Sequence, residues 1–200
     1  IHRKATDILL AKGILQKHPS IAVPETFQTV PDRTYFGSYV FKHKRPLNAI
    51  EIGHIYSVIE IKRLILSLNI GLCQVVKSDK IKKYLLQAKE IADKQLETLG
   101  HLLINEDIPV PEISEILITD TEQAAFSDRL ILTHTTAITA YINTAYGLAM
   151  PNMFRKDIDV ILARFTSELL GLARDGAQLM ADLGWFERIP ETVDRNQLIQ

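Results

Sequence analysis

The chain has 200 residues, 46% of them hydrophobic, enough for one large helical domain or one domain with an appendage. Its 23 basic and 24 acidic residues leave a formal net charge of −1, which removes the electrostatic case for nucleic acid or for an anionic membrane surface. The single cysteine, Cys73, excludes an intrachain disulfide and suits a reducing cytoplasm.

The first residues, Ile1-His2-Arg3-Lys4, lead into an amphipathic segment instead of the apolar core of a signal peptide. Residues 1–18 read as the last helix of an upstream repeat, with Gly13 as its stop, so the sequence is read as a piece of a longer protein. A helix this short is marginal alone, so Ile8 and Leu9 are expected to dock on the bundle that follows or on a neighbouring copy. Residues 19–46 form a connector with Pro19, Pro24, Pro31 and Pro46, which favour extended chain. Its aromatics Phe27, Tyr35, Phe36, Tyr39 and Phe41 are expected to pack on the bundle. The basic run Lys42-His43-Lys44-Arg45 is read as a solvated approach to the next helix.

Residues 47–190 are predicted to form an all-α, ferritin-like four-helix bundle, and 191–200 a tail. The first bundle helix, Leu47 to Lys77, is too apolar for one narrow stripe and should be contacted on more than one side. Asn48 and Glu51 have capping-box spacing, with Leu47 and Ile52 as a staple. Ser78 is placed to cap a second helix, Asp79 to about Asn105, after almost no loop, so the two are antiparallel neighbours. The connection from Glu106 to Ala125 is long for a bundle, where ~2–8 residues are usual. It can run the length of the bundle, which makes the second and third helices parallel. The third helix begins at Ser127 and Asp128. From Leu130 to Met150 it carries no Asp, Glu, Lys or Arg, yet its threonines, Asn143 and His134 make it a buried helix of small residues and not a membrane span. Its small residues (128–150) suit close helix approach and self-association. The fourth helix, about Phe154 to Leu183, ends at Gly184 with Trp185 folding back.

The two ends echo each other. Lys12-Gly13-Ile14-Leu15-Gln16-Lys17 with Pro19 matches Leu183-Gly184-Trp185-Phe186-Glu187-Arg188 with Pro190. The strings RPLNAIEIGHIYS, QVVKSDKIKKYL, FSDRLILTHTTAI and DGAQLMADLGW resemble a family of uncharacterised, duplicated ferritin-like proteins of endospore-forming bacteria, some labelled as spore-coat-related. The resemblance spans nearly the whole chain, as the tail of one repeat plus a complete second. It implies a ferritin-like bundle, a spore association and no established activity. It also implies that the position of Gln95 is often histidine, so that a ligand is lost here.

Glu51-x-x-His54 is the one pair with ferritin-style metal spacing, since both groups share a helix face. Glu51 sits in the first turn, however, where a capping box wants it, and the fourth helix has Glu168 followed by Gly171 with no histidine. At mid-bundle the first and third helices are expected to present Ile61, Ile65, Tyr141 and Ile142. Glu168 falls on the line Ile161, Phe165, Leu172, and as a buried carboxylate it should bond a neighbouring helix. Cys73 is read as an inert buried thiol and His101 as a rim residue. With the crossover, His134 and Asp175 share a level, with Asn69 near, and are expected within hydrogen-bonding reach. The favoured function is a non-enzymatic structural or interaction protein, working through protein–protein contacts, cytoplasmic or spore-associated. The alternative is a metal or small ligand held in the bundle, with iron, manganese or zinc drawn from His134, Asp175, Glu168, His54 and Glu51. No cofactor, nucleic acid or membrane span is expected.

Overall fold

A computed structural model describes residues 2–13, 19–22, 24–38, 44–112, 118–195 and 198. Among them the regular elements are all helical: α1 (His2–Ala11), α2 (Ala49–Val75), α3 (Asp79–Ile104), α4 (Asp128–Ala149) and α5 (Lys156–Asp182), with short 3-10 turns at Arg33–Phe36 and Met150–Asn152.

Local chemistry sets the helix ends. Asn48 accepts from the Glu51 amide while the Glu51 carboxylate accepts from the Asn48 amide, so α2 opens on a complete capping box. Leu47 and Ile52 are both buried beside it as the staple. Ser78 stands at the N-cap of α3 without bonding through its side chain. Its amide and that of Lys77 instead donate to the two oxygens of Asp128, at 2.8 and 3.1 Å, at the start of α4. At the end of α5, Gly184 has a φ of 69°, Trp185 N–H reaches Met180 C=O, and Gly184 N–H reaches Ala181 C=O. That is a Schellman motif, and it turns the half-buried indole of Trp185 back onto the core.

These contacts fix the topology. The α2–α3 turn meets the start of α4 through Asp128, and the start of α2 meets the start of α5 through Glu51. The chain from Asn105 to Ser127 therefore runs from one end of the bundle to the other, and α3 and α4 are parallel. α2 packs against α3 and α4, and α5 packs against the same two, so α2 and α5 lie on one diagonal. One buried cluster fills the middle, with Ile55, Ile59, Leu85, Leu99, Leu132, Ile158 and Phe165 nearly or wholly shut off from water.

At the N-terminal side less of the chain meets the bundle than expected. Nothing in α1 is buried, and Ile8 and Leu9 are 55% and 38% exposed, so α1 does not dock on this bundle. Its ten residues offer too narrow an apolar edge to hold it there. In the connector Phe36 stacks edge-on against Phe154 and Tyr35 sits under Arg45, whereas Phe27 is fully exposed. Tyr39 and Phe41 lie outside the described residues, as do Lys42 and His43 of the basic run.

Candidate functional site

Three places on the bundle concentrate polar or unusual surface chemistry. The first is the end where α2 and α5 begin. Glu51 is 0% exposed, and its carboxylate accepts five hydrogen bonds. Two come from the Arg45 guanidinium at 2.7 and 2.8 Å, and three from the amides of Asn48, Phe154 and Arg155. Burial works to raise its pKa, but Arg45 and the amides outweigh that and hold it below the ordinary carboxylate range. Arg45 in turn lies 4.2 Å from the Tyr35 ring centre. Arg155, itself buried, donates to Glu106 at 2.7 Å, to Asp157, and to the Arg45 carbonyl. Lys44 closes the array on Asp157 at 2.9 Å. Against the cost of burial, Arg155 and Lys44 bring Asp157 down to about 2. Arg45 and Lys44 are thus half-buried or paired clamps, not members of a solvated run. Arg45, Arg155 and Glu106 escaped sequence reasoning because their partners are up to 110 residues away in the chain.

His54, one turn beyond Glu51, is half-buried and forms no hydrogen bond or ion pair among the described residues. The Glu51-x-x-His54 spacing is therefore not a metal pair: both carboxylate oxygens are already committed to the clamp.

The second place is mid-bundle, where each helix contributes one polar side chain. The α4 residue Tyr146 donates to Gln95 Oε1 of α3 at 2.9 Å, and Gln95 Nε2 donates to Glu168 of α5 at 2.7 Å. From α2, Lys62 is only 1% exposed, with its ammonium nitrogen 5.7 Å from the Tyr146 ring centre. Burial lowers the Lys62 pKa to about 7 against an opposing pull from Glu168, and burial keeps the Tyr146 phenol firmly protonated. Here the sequence expectation is corrected. Lys62 and Tyr146 face fully inward, whereas Ile61 is partly buried against the core and Tyr141 is 60% exposed. The signal was present: Lys62 falls on the inward line of Ile55, Ile59, Leu66 and Asn69, spaced three and four apart.

Glu168 bonds its neighbouring helix as expected, but it is not buried. Its side chain is 39% exposed and also pairs with Arg164 at 3.6 Å. A divalent cation does not fit this donor set. It offers one carboxylate, an amide, a protonated phenol and an amine that carries its own positive charge at low pH. Among the described residues no three His, Cys, Asp or Glu side chains gather at one point.

His134 and Asp175 stand apart. His134 lines an apolar cleft with Leu68 and Leu72 of α2, while Asp175 accepts from Gln87 of α3 at 3.1 Å. The level was right: a Cβ on Gly176 would lie 2.5 Å from Thr136 Oγ1. The direction was not, because two residues turn a helix by about 200°, so His134 points away from the α5 side that Thr136 faces. Cys73 is half-buried with its thiol pKa raised by burial, and His101 is exposed beside Glu97.

The third place is the outer face of α2 and α4. Along α2 the exposed side chains between Ile52 and Cys73 are Leu64 and Leu68 alone. Antiparallel to it, α4 exposes Leu130, His134, Ala137, Tyr141 and Leu148 on one face. At the far end a cleft of about 380 Å³ continues this strip between α2 and the crossover, lined by Leu64, Leu68, Val75, Ile118 and Phe126. The opposite side of the bundle carries Lys82, Glu90, Lys94 and Glu97 on α3, with Arg164 and Arg174 on α5.

A solved structure of similar fold is that of a putative spore coat protein from Bacillus halodurans, with a TM-score of 0.68 and 14% sequence identity. The similarity covers 75% of this chain and 98% of that one. At such identity it establishes the fold. No curated protein matches the chain. A family model described as a protein of unknown function (DUF3231) matches residues 35–198, which include the Glu51 clamp, the mid-bundle cluster and the uncharged face. The chain belongs to that family.

Proposed function

We propose that this protein is a non-enzymatic structural or interaction protein, associated with the spore, that works through protein contacts made by the outer face of α2 and α4. The carrying observation is that face: two adjacent helices exposing leucine, tyrosine, alanine and His134, with no exposed Asp, Glu, Lys or Arg among them and Glu60 half-buried at the edge. A surface helix ordinarily turns charged groups to water, so an apolar strip of this length marks an interaction surface. The mid-bundle cluster supports the same reading, because its hydrogen bonds run between helices and its interior cation does not suit a metal. The spore association draws on the structural likeness to the Bacillus halodurans protein. A duplicated, ferritin-like architecture belongs to the same reading: α1 and α5 both end at a left-handed glycine, Gly13 at φ 67° and Gly184 at φ 69°.

Fractionation of sporulating cells of the source organism tests the association, with the protein expected in the spore fraction. Recovery in the soluble fraction of the mother cell alone would overturn it. Metal analysis of protein purified without chelator tests the alternative, in which iron, manganese or zinc sits in the bundle. Stoichiometric metal would replace the structural reading.

A further inference from the structure

Resting on that reading of the α2/α4 face, we infer that its partner is a second copy of this chain, docked face to face across a twofold axis that passes near Leu64 and Tyr141. Three observations lead there. The first is charge. A twofold contact sets a patch against itself, so any charged side chain near the axis meets its own like charge. From Leu130 to Met150 there is no Asp, Glu, Lys or Arg, and the exposed α2 side chains beside it are Leu64 and Leu68. The half-buried Glu60, one turn from Leu64, is the carboxylate nearest the strip, and an axis at Leu64 sets it against Leu68 of the copy, about 12 Å along the helix from its own like charge. The face can therefore meet its copy with little repulsion. The charged α3/α5 side has no such freedom.

The second is shape. Gly147 has open space within 4 Å of a would-be Cβ, and Ala137 and Ala140 lie on the exposed side of α4. Small residues between Leu130, Tyr141 and Leu148 give hollows for the copy's large ones, as in close helix packing. The third is area. Two adjacent helices of this length present about 35 by 20 Å, on the order of 700 Å². A standard interface takes roughly 800 Å² from each partner. The strip is thus the size of one side of a stable dimer. The two chains would stack α2, α4 and their copies as one internal layer, with both charged sides outward.

Sedimentation of the full chain tests this. The expected result is a dimer at micromolar concentration. Leu64→Lys and Tyr141→Lys should each weaken it by about tenfold or more, the effect of ~1.4 kcal/mol or more. Both side chains are about 60% exposed, so helical circular dichroism should be unchanged in both variants, and their melting should match that of wild type once all three are diluted to monomer. Lys94→Ala, on the opposite side, should leave association as it is. A wild-type chain that stays monomeric at about 100 µM overturns the second copy as partner, while the spore fractionation still judges the broader reading. A dimer that survives both lysine substitutions, or one broken by Lys94→Ala, overturns the face.

Discussion

Glu51 and Lys62 are two buried charges on one helix, and they are treated in opposite ways. Glu51, at the end of the bundle, has five donors, two of them from a guanidinium that itself stacks on the Tyr35 ring. Lys62, at the middle, has an aromatic face at 5.7 Å and a distant carboxylate. The first is a joint: it ties the connector, α2 and α5 together through groups that are far apart in sequence. The second is a standing cost, since an amine with its pKa brought down to about 7 opposes folding whenever it is charged. Burial alone does not say whether a charge stabilises; the count of donors and acceptors around it does.

The largest expected effect comes from cutting the joint. Glu51→Ala leaves Arg45 and the amides of Asn48, Phe154 and Arg155 without their acceptor, and should cost about 3–5 kcal/mol in denaturant unfolding. A loss below about 1 kcal/mol would show that the clamp is ornamental. Next is the reverse case. Lys62→Met should stabilise the protein by roughly 2–4 kcal/mol at pH 6, within the ~1.36 kcal/mol per unit that the lowered pKa implies. Its sign depends on pH. Between about 7 and 10.5 the unfolded chain holds a proton that the folded chain lacks, so wild-type stability should climb across that window. The methionine variant should lose that climb, and an unchanged slope would remove Lys62 as its source.

Asp157 gives the matching acid limb. With its pKa at about 2 against an ordinary 3.8, its contribution is fully present above 3.8 and is lost as pH falls toward 2. Asp157→Asn should flatten the acid end of the stability curve and leave the alkaline climb intact, separating the two ends of the comparison. A smaller effect is expected at Gly176, where an added Cβ would lie 2.5 Å from Tyr84 Oη and from Thr136 Oγ1. Gly176→Ala should cost about 1–2 kcal/mol in thermal or chemical melts, overpacking outweighing the better helix propensity. A more stable variant would mean that this corner of the bundle is loose.

What the sequence revealed follows from how far each signal reaches. The capping box at Asn48 and Glu51 and the glycine stop at Gly184 depend on neighbours three to five residues away, and both stand in the structure. The crossover was legible because a long connection leaves few places to go. The clamp was not legible, since Arg45, Glu106 and Arg155 meet only once the helices have assembled. His134 and Tyr141 failed for a narrower reason. Each was placed at the correct height and turned to the wrong side, an error of one or two residues in helical phase that composition cannot correct. Lys62 was overlooked because a lysine between Ile61 and Arg63 is counted as surface unless its own phase is followed.

The connection from Asn105 to Ser127 divides the bundle into two antiparallel hairpins, α2 with α3 and α4 with α5, each closed by a short turn. Each hairpin can form early from local contacts, and the search that remains is the docking of one on the other. A single cut at exposed Asp120 would leave every helix and every inter-helix hydrogen bond whole. The bundle is therefore suited to division into two co-expressed halves that reassemble without a covalent link.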